Sequence, residues 1–204
     1  MTLIVSAFNN QNIIICSDTL TTVDIDNERT FKYTKKIIKI NKYSAIGVSG
    51  FFTESTMNFI KIFCVENRRV IDIGSIERLL YKNINDKLQF NNSEVLNLII
   101  VGSTDGNPSI KVININPKGV NTIQPRNNFF SIGYDNPSRE ALKILSENKI
   151  ITKANTKELE ILIRHTVLSL IEEFKYSKNE KLGGGVDLIV LSLNTRRKNI
   201  FTRK

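Results

Sequence analysis

Apolar positions in the first fifty residues alternate or run together in short blocks, with none of the three-and-four spacing of a helix. Residues 2 to 8 and 12 to 18 are rich in Leu, Ile and Val and meet at the turn-prone Asn9-Asn10-Gln11-Asn12, which predicts two strands joined as a hairpin. A polar stretch holding Asp24, Asp26, Asn27 and Glu28 reads as a loop. Residues 36 to 40 and 43 to 49 read as a second strand pair across Asn41-Lys42. Helical spacing begins afterwards, from about Thr53 to Glu66. It returns in Ile76, Leu79, Leu80, Ile84 and Leu88 behind Ser75 as a cap.

Strands are expected again at 96 to 102 and 109 to 115, separated by the turn signal Ser103-Thr104-Asp105-Gly106-Asn107-Pro108, and at about 119 to 123 and 128 to 132. Asn136 as cap and Pro137 as first residue open a third helix through Ala141, Leu142 and Leu145. A fourth presents Leu159, Leu162, Ile163, Leu170, Ile171 and Phe174 on one face. A glycine run then leads into the apolar strand 186 to 191, taken as half of a final strand pair.

This order is neither βαβ alternation nor a bundle. It predicts an α+β protein with two antiparallel sheets packed between helix layers. Residues 1–204 suit one domain, and no internal repeat or linker divides them. Hydrophobic content of 41% and charged content of 24% are those of a folded chain. No targeting segment is visible, and no apolar stretch approaches the roughly 20 residues of a membrane helix, so no membrane partner and a cytoplasmic setting are expected.

Cys16, on an apolar strand, and Cys64, on a helix, fit neither a metal cluster nor a disulfide framework and read as small core residues. His165 is the sole histidine and sits among Ile161, Leu162, Thr166 and Val167, so it reads as a helix residue. No metal and no cofactor are expected. The net charge of +9 is spread over Lys32, Lys35, Lys36, Lys39 and Lys42 and the terminal Arg196, Arg197, Lys198, Arg203 and Lys204. Without clustered aromatics or a reading helix, this spread argues against nucleic acid as a partner.

Chemistry centres on Thr2. Once Met1 is removed, as a small second residue permits, Thr2 carries a hydroxyl nucleophile and an α-amine that titrates at about 7.7 to 8.0, a base on the same residue. Thr2-Leu3-Ile4-Val5-Ser6, Ile13-Ile14-Ile15-Cys16-Ser17-Asp18, Lys35-Lys36-Ile37 and Ala45-Ile46-Gly47-Val48-Ser49-Gly50 follow in order. Phe130-Ser131-Ile132-Gly133 and Asn136-Pro137 come later. Together they resemble the proteasome β-type family of N-terminal nucleophile hydrolases, particularly its HslV-like branch, most densely over residues 1 to 54.

The resemblance implies a four-layer αββα sandwich and a threonine-type peptidase working inside a homo-oligomeric ring. Its substrate would be a peptide or unfolded protein, supplied by a separate ATP-dependent unfoldase, since Gly183-Gly184-Gly185 lacks the Lys-Ser/Thr step of a phosphate-binding loop. It further implies Thr2 as nucleophile, Lys36 as the ammonium that lowers its pKa, Asp18 as the carboxylate orienting Lys36, and the Gly50 N–H as oxyanion donor. Thr22 would pair with substrate as an added strand, and Val48 and Phe52 would shape the specificity pocket. Each residue also has an ordinary use: Asp18 ends a strand, Lys35 and Lys36 suit a solvated face, Gly50 suits a turn.

The chain departs from the family pattern at three places. Tyr134 follows Gly133 where a serine supports the threonine amine, leaving Ser131, Gly133 and Tyr134 as candidates for that task. Asn179 to Gly185 replaces an Asp-x-x-Ser-Gly-Gly segment, and Phe51 and Phe52 follow Gly50 where small residues are usual. These departures keep a second expectation open, a non-catalytic ring or scaffold subunit that retains Met1.

Overall fold

The computed structural model describes residues 2–25, 28–87, 94–148, 153–176 and 181–193. Six strands come first: β1 (Leu3–Phe8), β2 (Asn12–Asp18), β3 (Leu20–Ile25), β4 (Glu28–Tyr33), β5 (Ile37–Asn41) and β6 (Ser44–Phe51). Helices α1 (Glu54–Glu66) and α2 (Ile73–Lys87) follow, then β7 (Val95–Thr104), β8 (Asn107–Asn116), β9 (Gly119–Ile123) and β10 (Phe129–Gly133). Helices α3 (Asp135–Glu147) and α4 (Thr156–Phe174) precede β11 (Val186–Ser192).

The strands form three antiparallel sheets, so the chain is of the α+β class. One has the order β10-β1-β2-β11, one β5-β6-β7-β8-β9, and β3 pairs with β4. Alternation divides β1 cleanly between two cores. Leu3, Val5 and Ala7 join Ile14, Cys16 and the apolar faces of α3 and α4, including Ala141, Leu145, Ile163 and Leu170. Ile4 instead joins Ile13, Ile15, Ala45, Ile99, Val101 and Val112, a cluster shared by the two larger sheets. A third cluster holds the other side of the five-stranded sheet, with Ile46, Val48, Leu98, Ile100 and Ile113, together with Ile60, Phe63, Ile76 and Leu80 from α1 and α2.

Several expectations change. The region around Asp24 and Glu28 is a strand hairpin and not a loop: Leu20 pairs with Tyr33 and Ile25 with Glu28, while Asp26 and Asn27 lie outside the described residues. β-branched Thr21, Thr22 and Val23 favour the extended chain despite their polar neighbours. The β7–β8 turn tightens onto Asp105 (φ 51°) and Gly106 (φ 80°), so Ser103, Thr104, Asn107 and Pro108 all join the ladder.

Helix α2 is capped by Asp72, not Ser75: the Ser75 N–H donates to Asp72 Oδ2 at 2.7 Å. Leu79 is exposed on α2, and Leu88 lies outside the described residues. In α3, Tyr134 is the N-cap and Asn136 and Pro137 lie within the first turn, where a proline's missing N–H costs nothing. Asn155 and Glu158 form a capping box on α4, on whose surface His165 is exposed. The partner strand expected after β11 and the terminal basic residues from Arg196 onward lie outside the described residues. Among the described residues, no helix is long and apolar enough to cross a membrane.

Cys16 and Cys64 are both buried, and burial pushes each thiol up to about 12. For Cys16 the nearby Asp187 carboxylate adds to the effect. Neither thiol should react with Ellman's reagent in the folded protein at pH 8, and both should react in guanidinium. Rapid reaction of either in the native state would contradict this packing.

Candidate active site

Three chain segments converge at the start of β1. Asp18 closes β2, Lys36 stands one residue before β5, and Thr2 stands one residue before β1. Asp18 and Lys36 are 0% and 2% exposed, and Thr2 is 9% exposed. The Lys36 ammonium donates to Asp18 Oδ1 at 2.8 Å and to the Leu20 carbonyl at 2.5 Å. The same Oδ1 accepts the Leu3 N–H at 2.8 Å, so one carboxylate oxygen ties Lys36 to the peptide unit that joins Thr2 to Leu3. Lys36 is anchored from behind as well, because its carbonyl accepts the Val48 N–H at 2.8 Å. Thr2 has the same parity as Ile4, the β1 residue in the cluster between the sheets.

On its other side, Thr2 is held by backbone. The Tyr134 N–H donates to the Thr2 carbonyl at 3.2 Å, and Gly133 pairs with Leu3. Gly133 has φ 138°, and a Cβ there would lie 2.0 Å from the Thr2 oxygen, so only glycine fits. Gly50 repeats the arrangement at the end of β6, with φ 125° and a Cβ position 2.0 Å from the Val95 carbonyl. It stands two residues beyond Val48, whose N–H is bonded to Lys36.

The remaining expected site residues separate into those at Thr2 and those elsewhere. Ser131 lies opposite Val5, and its hydroxyl donates to the Ile4 carbonyl at 3.2 Å. Tyr134 meets Thr2 through its backbone N–H, with its side chain 45% exposed. Thr22 pairs with Phe31 in β3, whose sole ladder among the described residues is with β4. Val48 is 1% exposed within the cluster under α1 and α2, because it shares its strand face with Ile46. Phe52 packs against that same cluster, while Phe51 opposite Val95 is 61% exposed.

Burial pushes the Asp18 carboxyl up and the Lys36 amine down, each against the attraction of its partner. Two donors on a single carboxylate oxygen favour its ionised form, so we read the pair as charged, with Lys36 held below the ordinary lysine range. Asp18 Oδ2 is buried without a hydrogen-bond partner. Sequence reasoning missed the Leu20 carbonyl and the Leu3 N–H. Every residue but proline carries both groups, so no side-chain signal marks them.

Replacing Lys36 by Met should strand a buried carboxylate and cost about 3–5 kcal/mol in urea unfolding at pH 7. Without Lys36 the folded-state pKa of Asp18 rises further above its unfolded value. The folded variant then binds the extra proton, and its deficit shrinks as the pH falls. Adding Asp18→Asn should restore part of the loss, since the amide oxygen still accepts from Leu3. A loss in the double variant equal to the sum of the Lys36→Met and Asp18→Asn losses measured singly would show that the two residues are not coupled.

In comparisons with known proteins, no family model matches the chain and no curated protein matches its sequence.

Proposed function

We propose that the protein is a threonine peptidase of the N-terminal nucleophile type, with Thr2 as nucleophile after removal of Met1. The observation that carries this reading is the single Asp18 oxygen that holds both the Lys36 ammonium and the peptide N–H immediately after Thr2. A second support is the order of packing, with α1 and α2 on the five-stranded sheet, that sheet on the four-stranded one, and α3 and α4 beyond, as in an αββα sandwich of this class.

In this mechanism the Thr2 α-amine takes the hydroxyl proton as Oγ1 attacks the substrate carbonyl. The Gly50 N–H stabilises the oxyanion, and the amine returns its proton to the departing amine of the substrate. Water then hydrolyses the acyl-enzyme, with the α-amine again as base. The charged Lys36 lowers the pKa of the hydroxyl, and Asp18 holds it in place. Substrate would lie as an added strand along β3 at Thr22. The setting is cytoplasmic, and substrates are peptides or unfolded chains delivered by a separate ATP-dependent partner.

A non-catalytic ring subunit is the second reading, favoured by Tyr134 where the family pattern has a serine and by the burial of Val48. Intact mass separates the two, because a retained Met1 blocks the α-amine.

With Met1 removed, Thr2→Ala should abolish cleavage of peptide amides and esters while leaving the unfolding midpoint unchanged. The alkaline limb of kcat/KM should fall as Lys36 loses its proton. Asp18→Asn removes the attraction that raises the Lys36 pKa, so this limb should move to lower pH. Full activity in Thr2→Ala, or an alkaline limb that moves to higher pH, would overturn the assignment.

Ring assembly is a separate expectation. Ile62 and Val65 on α1 and Ile161 and Leu168 on α4 are exposed apolar residues on outer helices, as packing against neighbouring copies requires. Sedimentation at micromolar concentration should give a closed oligomer of about six or seven chains. A monomer under those conditions would defeat the ring.

A further inference from the structure

The run Gly183-Gly184-Gly185 enters β11 alongside the β2–β3 junction, the stretch that supplies the oxygen acceptors of Lys36. Val186 pairs with Asp18. One step on, the Thr19 N–H donates to the Gly185 carbonyl at 3.1 Å, the Gly185 N–H donates to Thr19 Oγ1 at 2.8 Å, and the Thr19 hydroxyl donates back to the Gly185 carbonyl at 3.3 Å. A further step on, the Leu20 N–H donates to the Gly183 carbonyl at 3.0 Å. The segment therefore grips Asp18, Thr19 and Leu20 in succession. Asp18 supplies Lys36 with a carboxylate oxygen and Leu20 supplies a carbonyl.

Glycine is required at one point of this grip. Gly184 has φ 78°, and a Cβ there would lie 2.5 Å from Thr19 Oγ1 and 2.9 Å from the Tyr33 ring. The Tyr33 ring is exposed and can swing aside, but Thr19 Oγ1 is held on both sides by Gly185. Gly183 is close-packed too, with its Cβ position 3.0 Å from Leu20 Cδ2. Gly185 is different: a Cβ there would sit 3.9 Å from Thr19 Oγ1, ordinary contact, with no positive φ.

We propose that residues 183–186 form a positioning strap for Lys36, aligning the Asp18 carboxylate and the Leu20 carbonyl so that the ammonium is held at the Thr2 end of β1. This rests on reading Lys36 as part of the active site, and it assigns a task to a segment in which this chain departs from the pattern of the family it resembles. The strap touches no substrate and acts only through the acceptors of Lys36.

The test is the titration of the Lys36 amine, followed by NMR in protein with carbon-13-labelled lysine and assigned by loss of the signal in Lys36→Met. Thr19→Ala removes the acceptor for Gly185, and Gly184→Ala displaces Thr19. Both should lower the Lys36 titration midpoint, because poorer acceptors favour the neutral amine. Thr19→Ser, which keeps the hydroxyl, and Gly185→Ala should leave it at the wild-type value. In the active enzyme the two damaging variants should lose about tenfold in kcat with KM changed less than about twofold.

Wild-type midpoints in folded Thr19→Ala and Gly184→Ala would overturn the strap, as would Gly185→Ala shifting as far as Gly184→Ala. If Gly184→Ala does not fold, Thr19→Ala against Thr19→Ser decides alone, since Thr19 is only half-buried. A shifted midpoint in a protein that cleaves nothing keeps the strap and defeats the peptidase. An unshifted one in an active enzyme does the reverse.

Discussion

The ion pair between Lys36 and Asp18 is the constraint around which the rest is arranged. Both groups are withdrawn from water, which costs several kcal/mol for each charge, and the cost is offset only when every surrounding partner is well placed. The partners come from separate parts of the chain. Asp18 belongs to the four-stranded sheet, Lys36 is bonded through its carbonyl to the five-stranded sheet, and Leu20 begins the small hairpin. A single lysine therefore joins all three sheets. A slip of one residue in the pairing of β1 with β2 would take the Asp18 oxygen away from the Leu3 N–H and break the pair's geometry.

Around that pair the two large sheets use the same device to turn a strand into a helix. Gly133 ends β10 and Gly50 nearly ends β6, both at positive φ and each with no room for a Cβ against a neighbouring carbonyl. Each is soon followed by a helix N-cap, Tyr134 for α3 and Thr53 for α1. At these points the chain must leave the plane of the sheet and place a helix across its outer face. The carbonyl that excludes a side chain at Gly133 is that of Thr2, so the bend that starts α3 also fixes the backbone of the proposed nucleophile.

Much of this was legible in the sequence where one physical effect dominated. β1, β2 and β6–β8 are apolar enough that burial alone identifies them, and the stripes of α1 and α4 have a single buried face. The hairpin β3–β4 was not legible, because polar Thr21, Thr22, Asp24 and Glu28 resemble a loop unless strand propensity is set against polarity. Ser75 and Asp72 are both able to cap α2, and the choice between them depends on where the chain turns, which composition does not encode. At the site, Asp18 and Lys36 were reachable through family resemblance, whereas the burial of Val48 was not. In an almost wholly apolar strand such as Ala45-Ile46-Gly47-Val48, pattern does not say which face meets helices and which meets the other sheet.

The same pair bears on whether the fold is used for catalysis or only for assembly. A scaffold subunit needs its sheets held together, and well-packed apolar side chains of similar volume do this at least as well as a buried ion pair, often with a gain in stability. If Thr2 is the nucleophile, as proposed, an ammonium sequestered beside the first strand has a use that apolar residues cannot supply, which is to favour the developing alkoxide. Burial holds the Lys36 amine below the ordinary lysine range against the attraction of Asp18. Burying Lys36 and Asp18 ties the three sheets in one register, and under the proposed function the same arrangement also holds a charge at the Thr2 end of β1.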